Sequence, residues 1–145
     1  MNFLYNRAFR LSYTVLTGLF LFLITSCSNK LTFKTSTVVP AAQGSVKISK
    51  DDNGNNQLDL SILHLTDPSR LSPSKKYYVI WMETEDNGTK NLGQLKSESG
   101  FFTSTLKAYF HTVTPFNPKR IFITAENDIN IQSPSSQTVM VTNSK

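Results

Sequence analysis

The feature of this sequence that most constrains its fold is a series of short segments in which apolar and polar residues alternate. Residues 44–50 and 58–62 show this period of two, and the turn-forming residues 51–56 lie between them. Alternation places apolar side chains on one face of a half-buried β-strand, and Asn and Gly accept the positive φ angles of tight turns. These residues therefore predict a β-hairpin.

Strand-like segments continue along the rest of the chain. Residues 77–82 are apolar on both faces and rich in aromatic and β-branched residues, which is typical of a central strand covered on both sides. In the segment 90–96, Leu92 breaks the alternation and Gly93 indicates a β-bulge. The other predicted strands are residues 35–39, 100–110, 120–125 and 138–142.

No helical period of any length follows residue 27. Short strands at near-regular spacing predict an all-β domain, and we expect an immunoglobulin-like β-sandwich of about seven to eight antiparallel strands. The Cys…Trp…Cys pattern of true immunoglobulin domains is missing, because the chain has one cysteine and one tryptophan. The fold prediction therefore depends on the strand pattern alone.

The N-terminal residues have the pattern of a secretory signal. Arg7 and Arg10 give a positively charged leader without acidic residues, and residues 11–24 are mostly apolar. This run has the length of a signal-peptide core and is shorter than the ~20 residues of a membrane-spanning helix. We therefore expect residues 1–26 to be a signal peptide.

The apolar run ends in Ile24-Thr25-Ser26-Cys27, which contains the only cysteine of the chain. This motif resembles the lipobox of bacterial lipoproteins. The resemblance implies acylation of Cys27, for example with palmitate, and cleavage before it, and two or more acyl chains form a stable membrane anchor. Residues 27–33 are then a lipidated tether and residues 34–145 the β-sandwich domain. Two alternatives stay open: an uncleaved signal anchor, and cleavage elsewhere with Cys27 incidental.

The lipobox resemblance also implies a location outside the cytoplasm. Ser28 stands where some enteric bacteria use aspartate to retain lipoproteins in the inner membrane, which favours the outer membrane. The formal net charge is +5 at pH 7, but the basic pairs Lys75-Lys76 and Lys119-Arg120 precede apolar runs and are typical of solvated strand ends. We therefore expect no nucleic-acid partner.

Three segments resemble, in the same order, the extracytoplasmic C-terminal domain of anti-sigma-K-factor-like proteins. They are Tyr78-Val79-Ile80-Trp81, Asn91-Leu92-Gly93-Gln94-Leu95 and Ile123-Thr124-Ala125-Glu126. The resemblance covers about residues 77–133 and implies an extracytoplasmic domain without catalytic residues. The family's late glycine-rich loop would fall at residues 131–134, where the glycines are missing. Because residues 1–10 cannot hold the family's sigma-binding domain, we do not expect sigma-factor inhibition.

Residues that could carry chemistry are few. His64 and His111 are the only histidines, and neither has a further His, Cys or carboxylate at zinc-ligand spacing, so we expect no metal site. His64 is typical of a strand-end histidine. Asp51, Asn53 and Asn55 alternate as in a calcium loop, but the sixth residue is not Gly and the twelfth is not Glu, which favours a simple hairpin.

Aromatic residues give the remaining candidates. Trp81 lies in a dense apolar strand, so core packing is favoured over a ligand platform. Phe101 and Tyr109 share a strand face with three polar residues, and this mixed face is the candidate partner-contacting surface. The polar residues are Thr103, Thr105 and Lys107.

No catalytic constellation is recognisable, although scattered residues neither support nor exclude a Ser-His-Asp triad. We expect a non-enzymatic, cofactor-free module at the bacterial cell envelope, held to a membrane by acyl chains on Cys27 and contacting a protein partner of unknown identity. The alternative is a sensory or regulatory outer domain that signals through a partner. An exported hydrolase that uses His64 or His111 with a carboxylate ranks last.

Overall fold

Eight antiparallel β-strands form the molecule in a computed structural model that describes residues 29–98, 107–135 and 137–144. Within these residues the only helical element is a single 3₁₀ turn, Pro68–Arg70. The all-β class and the number of strands are as predicted. The strands are β1 (Asn29–Thr32), β2 (Gln43–Lys50), β3 (Asn56–Leu63), β4 (Tyr77–Thr84), β5 (Thr89–Glu98), β6 (Lys107–Thr114), β7 (Pro118–Glu126) and β8 (Thr138–Val141).

The strands form one continuous sheet in the order β1-β2-β3-β6-β5-β4-β7-β8. Strand β5 pairs with β4 along its first part and with β6 through residues 96–98, so it joins the two halves of the sheet. The sheet curls until its two outermost strands meet, where Phe33 bridges to Thr142 and the Lys34 N–H donates to the Val141 carbonyl at 2.8 Å. This pairing does not confirm the two separate sheets of an immunoglobulin-like sandwich.

The core lies inside the curled sheet and is built from the predicted alternation. In β3 every second residue is buried, and β4 has five consecutive buried residues. Strand β4 lies between β5 and β7 and is covered on both faces, as predicted. Both halves of the sheet contribute to one apolar cluster, which includes Val46, Leu60, Ile62, Ile80, Ile121, Ile123 and Met140.

The predicted bulge is present in β5. Ile80 pairs with Gly93 and Trp81 with Asn91, so Leu92 has no partner on β4. Gly93 has a φ of +124°, which residues with a side chain rarely adopt. Glycine is therefore required where the strand changes register.

The predicted strand at residues 35–39 is wrong. This segment is an irregular connection, although its β-branched residues favour a strand. The Ser36 hydroxyl accepts hydrogen bonds from the N–H groups of Val38 and Val39, at 3.1 and 2.9 Å, and donates to the Val139 carbonyl. A side chain that satisfies nearby backbone groups in this way replaces the hydrogen bonds of a sheet.

Two further boundaries differ from the prediction. Strand β1 begins at Asn29, inside the segment 27–33 that we assigned to a tether, and it buries only Leu31. Strand β6 continues to Thr114, where the register pairs it with Asn56 of β3. Residues 99–106, which include the first part of the predicted strand 100–110, lie outside the described residues.

Antiparallel pairing sorts the connections between strands into two ends of the molecule. The pairs Asn29–Ile48, Asn56–Thr114 and Thr84–Pro118 place three tight turns beside the start of β1. We call this the proximal end, with turns at residues 51–55, 85–88 and 115–117. The opposite, distal end carries the longer connections 33–42, 64–76 and β7–β8.

Candidate interaction surfaces

The predicted acylation site, Cys27, lies outside the described residues. Asn29, two positions later, begins β1 at the proximal end of the sheet. Among the described residues no helix is long and apolar enough to cross a membrane. The position of Asn29 decides which end of the domain is nearest to Cys27.

The loop that resembles a calcium site is a hairpin turn, as predicted. The Asp51 carboxylate accepts hydrogen bonds from the N–H groups of Asn53 and Asn55, at 2.9 and 2.8 Å, and from the Asn55 side-chain amide at 3.1 Å. These hydrogen bonds lower the pKa of Asp51, and the bond from the Asn55 side chain has the largest effect. Its oxygens hold the turn between β2 and β3. In the described part of the chain no three His, Cys, Asp or Glu side chains are grouped to hold a metal ion.

Trp81 is fully buried, as predicted, and anchors a polar network on the face of β4 and β7 opposite the main core. Its Nε1–H donates to the Thr124 hydroxyl at 2.8 Å, and that hydroxyl donates to the Glu126 carboxylate at 2.7 Å. The carboxylate also accepts hydrogen bonds from the N–H and hydroxyl groups of Ser135. Buried polar groups are thus paired, and the β7–β8 connection is fixed to the sheet.

Asn91 of β5 holds the same connection from the other side. Its side-chain amide donates to the carbonyls of Ile129 and Ile131, both at 2.9 Å, while its side-chain oxygen accepts from the Gly93 N–H at 2.8 Å. The three segments that resemble the anti-sigma-K-like domain therefore lie on the adjacent strands β5, β4 and β7. They contribute Asn91, Trp81, Thr124 and Glu126 to one set of contacts.

The outer surface of β3 and β6 is a mixed polar and apolar face. Among the described residues, Tyr109 and Val113 are the exposed large apolar side chains, with 55% and 46% of their surface accessible. Asp59 and His111 lie directly opposite each other across the strands, and the Asp59 carboxylate is 2.7 Å from the His111 Nδ1. The β3–β6 face is defined by the outward residues Asp59, Ser61, Lys107, Tyr109, His111 and Val113.

The β3–β6 face is the part of the predicted partner-contacting surface that the structure describes. Lys107 and Tyr109 are exposed on it, as predicted, whereas Phe101, Thr103 and Thr105 lie outside the described residues. Sequence reasoning missed the pairing of His111 with Asp59, because the two residues are 52 positions apart and only the β3–β6 register brings them together. The hydrogen bond with His111 is the main cause that lowers the pKa of Asp59.

A second surface feature, which the sequence did not indicate, is an open cleft at the distal end. Its larger part has a volume of about 680 Å³ and an adjoining part has about 240 Å³. The two parts share Val38, Leu71, Ser72 and Gln137, and we call them together the distal cleft. Charged or titratable side chains at its walls are His64, Arg70 and Lys75.

Local sequence explains how the wall with Arg70 forms. The Asp67 carboxylate accepts hydrogen bonds from the N–H and hydroxyl groups of Ser69, at 2.9 and 2.6 Å, and so caps the 3₁₀ turn. These hydrogen bonds lower the pKa of Asp67, and the bond from the Ser69 hydroxyl has the largest effect. The Tyr78 hydroxyl donates to the Thr66 carbonyl at 2.9 Å, which fixes the preceding residues to the core. Burial, with a smaller contribution from Asp67, raises the pKa of Tyr78 to about 12.

His64 follows the last residue of β3 and is exposed, which agrees with the predicted strand-end histidine. Its φ of +57° is the only positive φ of a non-glycine residue in the described part of the chain. His is one of the residue types that enter this region more often than most, but the conformation is uncommon. The left-handed residue directs the chain from β3 into the wall of the distal cleft.

Comparisons with known proteins identify no relative of this chain. No family model, no curated protein and no solved structure matches it.

Proposed function

We propose that this protein is a non-catalytic interaction or structural module, held at the outer face of a bacterial membrane by acyl chains on Cys27. The observation that carries the proposal is the sequence Ile24-Thr25-Ser26-Cys27 at the end of a basic and then apolar leader. The chain after it is a β-sheet domain with its own apolar core.

The position of β1 supports a domain held close to its anchor. Asn29 is two residues after Cys27, and two residues span about 7 Å when extended. The proximal turns carry Asp51, Asp52, Glu85 and Asp86. Carboxylates are repelled by anionic lipid headgroups. The short link to Cys27, and not the charge of these turns, therefore holds the proximal end toward the membrane.

Three acidic residues of the described chain have structural roles, and the β3–β6 face offers a surface for binding. The carboxylates of Asp51 and Asp67 are hydrogen-bonded within turns, and that of Asp59 is paired across the sheet. Their pKa values are lowered by these contacts, so the three carboxylates are ionised at neutral pH. The β3–β6 face, with exposed Tyr109 between polar residues, has the mixed character of a protein-contacting surface.

Intact mass spectrometry of the protein purified from its native membranes tests the anchor. We expect a mass equal to residues 27–145 plus two or three acyl chains, and we expect Cys27→Ala to lose the acyl mass and the need for detergent during extraction. Ser28→Ala, which keeps the cysteine, is the matched control and should retain both. An unmodified wild-type mass, or no change on Cys27→Ala, would refute lipidation.

A second candidate function is sensory or regulatory signalling through a partner. It is favoured by the network of Trp81, Thr124 and Glu126 and by the bonds of Asn91, because both hold the β7–β8 connection against the three segments that resemble the anti-sigma-K-like domain. It predicts a specific inner-membrane protein on crosslinking and altered transcription when the protein is deleted. An unmodified full-length mass would support this candidate over the first, because a signal anchor would keep the basic leader in the cytoplasm.

A further inference from the structure

The distal cleft lies at the end of the molecule opposite Asn29. Strand β1 starts at the proximal end, whereas the residues that line the cleft belong to the connections β1–β2, β3–β4 and β7–β8 at the other end. If Cys27 is acylated, the cleft therefore faces away from the membrane. An occupant that approaches from solvent or from another protein can reach it, whereas a lipid headgroup of the anchoring membrane cannot.

The charges of the cleft favour an anionic occupant. Within the described residues, the side chains of His64, Arg70 and Lys75 form no hydrogen bond and no salt bridge. Asp67 attracts Arg70 at longer range, but its carboxylate is already held by Ser69. Arg70 and Lys75 are thus available to carboxylates of a ligand, and Arg can bind a carboxylate with two parallel hydrogen bonds.

Apolar side chains lie between the cations. Val38 and Leu71 line both parts of the cleft, with Val139 and Ala125 in the smaller part. Val38 and Leu71 are only partly buried, although they pack against the main core. A ligand that offered only negative charge would leave this apolar surface in water, so the lining matches a ligand in which charged and apolar groups alternate.

The conformation of His64 is a further indication. Left-handed backbone at a residue with a side chain costs free energy and is concentrated at binding and catalytic sites. His64 is exposed and lines the larger part of the cleft, as do Arg70 and Thr66. The strained residue and the two unpaired cations therefore converge on one cavity.

We propose that the distal cleft binds an extended, acidic segment of a partner protein, with carboxylates on Arg70 and Lys75 and apolar side chains on Val38 and Leu71. The proposal deepens the interaction function above and rests on it for the direction in which the cleft faces. A peptide is favoured over a small anion because the two parts of the cleft together form a groove with cations in both parts.

Fluorescence anisotropy tests the proposal with the full-length protein purified in detergent. The probe is the blocked peptide Ac-Glu-Leu-Glu-Leu-NH₂ carrying an uncharged dye, compared with the same peptide in which Gln or Lys replaces both Glu residues. We expect only the acidic peptide to bind, and we expect its affinity to fall as salt is raised from 50 to 300 mM. Equal binding of the three peptides, or no binding of any, would overturn the proposal.

Charge variants identify the site. Arg70→Gln and Lys75→Gln should each weaken binding about two- to fivefold, within the range for exposed ion pairs, whereas Lys47→Gln in the exposed part of β2 should change nothing. The double variant Arg70→Glu/Lys75→Glu should prefer the Lys peptide. Because these side chains are at the surface, folding is checked by the circular dichroism of each variant. Unchanged affinity and preference in all the folded variants would place binding elsewhere and refute the cleft.

Running the same titration on acylated wild type and on Cys27→Ala separates this proposal from the proposed function. Peptide binding by Cys27→Ala would show that the cleft works without the anchor, and a wild type that binds the peptide but carries no acyl mass would support the cleft while the anchor fails. An acylated protein without peptide binding would reject the cleft and leave the anchor in place.

Discussion

At the scale of single residues, Thr124 occupies the position on which the buried network depends. Its hydroxyl accepts from the Trp81 Nε1–H and donates to the Glu126 carboxylate, and all three residues are almost completely buried. Replacing the hydroxyl by a methyl group keeps the shape of the side chain but removes one acceptor and one donor. A buried polar group without its partner costs more than the net gain of the bond that was lost.

We therefore expect Thr124→Val to lower the free energy of unfolding by about 1–3 kcal/mol. The matched control is Thr138→Val on the exposed side of β8, for which we expect a change within about 0.5 kcal/mol. Urea denaturation followed by tryptophan fluorescence measures both, because Trp81 reports on its own surroundings. Equal stabilities of the two variants would show that the network contributes little.

Asp59 gives a prediction on pH. Hydrogen bonding with His111 lowers its pKa in the folded protein below the ordinary value of about 3.9. A carboxyl of this kind stabilises the fold above its unfolded pKa, and the stabilisation is lost as the pH falls through the folded value. The loss therefore belongs to the range below about pH 4.

We expect urea midpoints of the wild type to fall between pH 6 and pH 3, and those of Asp59→Asn to fall less over the same range. Tyr109→Phe, on the same face and without a change of charge, should keep the wild-type slope. His111→Gln should flatten the slope as Asp59→Asn does, since the imidazole is the main cause of the shift. If Asp59→Asn keeps the full pH dependence, the pair contributes nothing to acid sensitivity.

At the scale of elements, glycine conformation explains the bulge of β5. A Cβ at Gly93 would lie 3.6 Å from the Phe110 ring, which is ordinary contact, so the φ of +124° is the obstacle. Gly88 in the β4–β5 turn has a φ of +68°, and a Cβ added there would meet nothing within 4 Å. Alanine at either position would meet no steric overlap. The two substitutions therefore compare the cost of alanine in two different backbone conformations.

We expect Gly93→Ala to destabilise the protein by about 1–3 kcal/mol and Gly88→Ala by about 1 kcal/mol, because alanine tolerates the left-handed region better than a φ near +124°. Thermal unfolding of the two variants beside wild type measures the order. A less stable Gly88→Ala variant would mean that the turn, and not the bulge, limits the pairing of β4 with β5.

The sequence pattern predicted the strands whose apolar residues repeat at a regular spacing. It failed where a single side chain or a distant strand determines the local structure. The period of two identified β2 and β3, and the apolar run identified β4. Strand β1 has only one buried residue, Leu31, so its pattern carries no period, and it exists because β2 pairs with it. The β-branched residues 35–39 failed as a strand because the Ser36 hydroxyl bonds to their backbone.

The candidate surfaces were predictable to different degrees for the same reason. The face of Lys107 and Tyr109 follows from alternation within one strand, whereas the Asp59–His111 pair requires the register of two strands. The distal cleft requires three connections to meet at one end of the sheet, and no local pattern encodes which loops share an end.

At the scale of the whole molecule, charge is distributed unequally between the two ends. The proximal turns carry only acidic charges, Asp51, Asp52, Glu85 and Asp86. In the described distal connections cations outnumber carboxylates, and the charged residues there are Lys34, Asp67, Arg70, Lys75, Lys76 and Asp128. The chain is basic as a whole, but the turns at its proximal end are acidic. The charge of these turns opposes their contact with anionic lipid.

The position of Asn29, two residues after Cys27, predicts how an acylated protein stands on a membrane, and the charge asymmetry predicts how this depends on anionic lipid. Strands β2, β3, β4 and β6 are each eight residues long, so the two ends are about 25 Å apart. Fluorophores attached at Asn87→Cys, in a proximal turn, and at Ser74→Cys, in a distal connection, would report their distance from doxyl-labelled lipids in vesicles. Acylation blocks the Cys27 thiol, so each variant is labelled at one position.

We expect strong quenching at position 87 and weak quenching at position 74, because the domain stands with its proximal end toward the bilayer and the distal cleft in solvent. Raising the fraction of anionic lipid should reduce the quenching at position 87, since the acidic turns are repelled further from the surface. Equal quenching at the two positions would mean that the domain lies on its side, with one face of the sheet on the lipid, and that the distal cleft is no more accessible than the proximal turns.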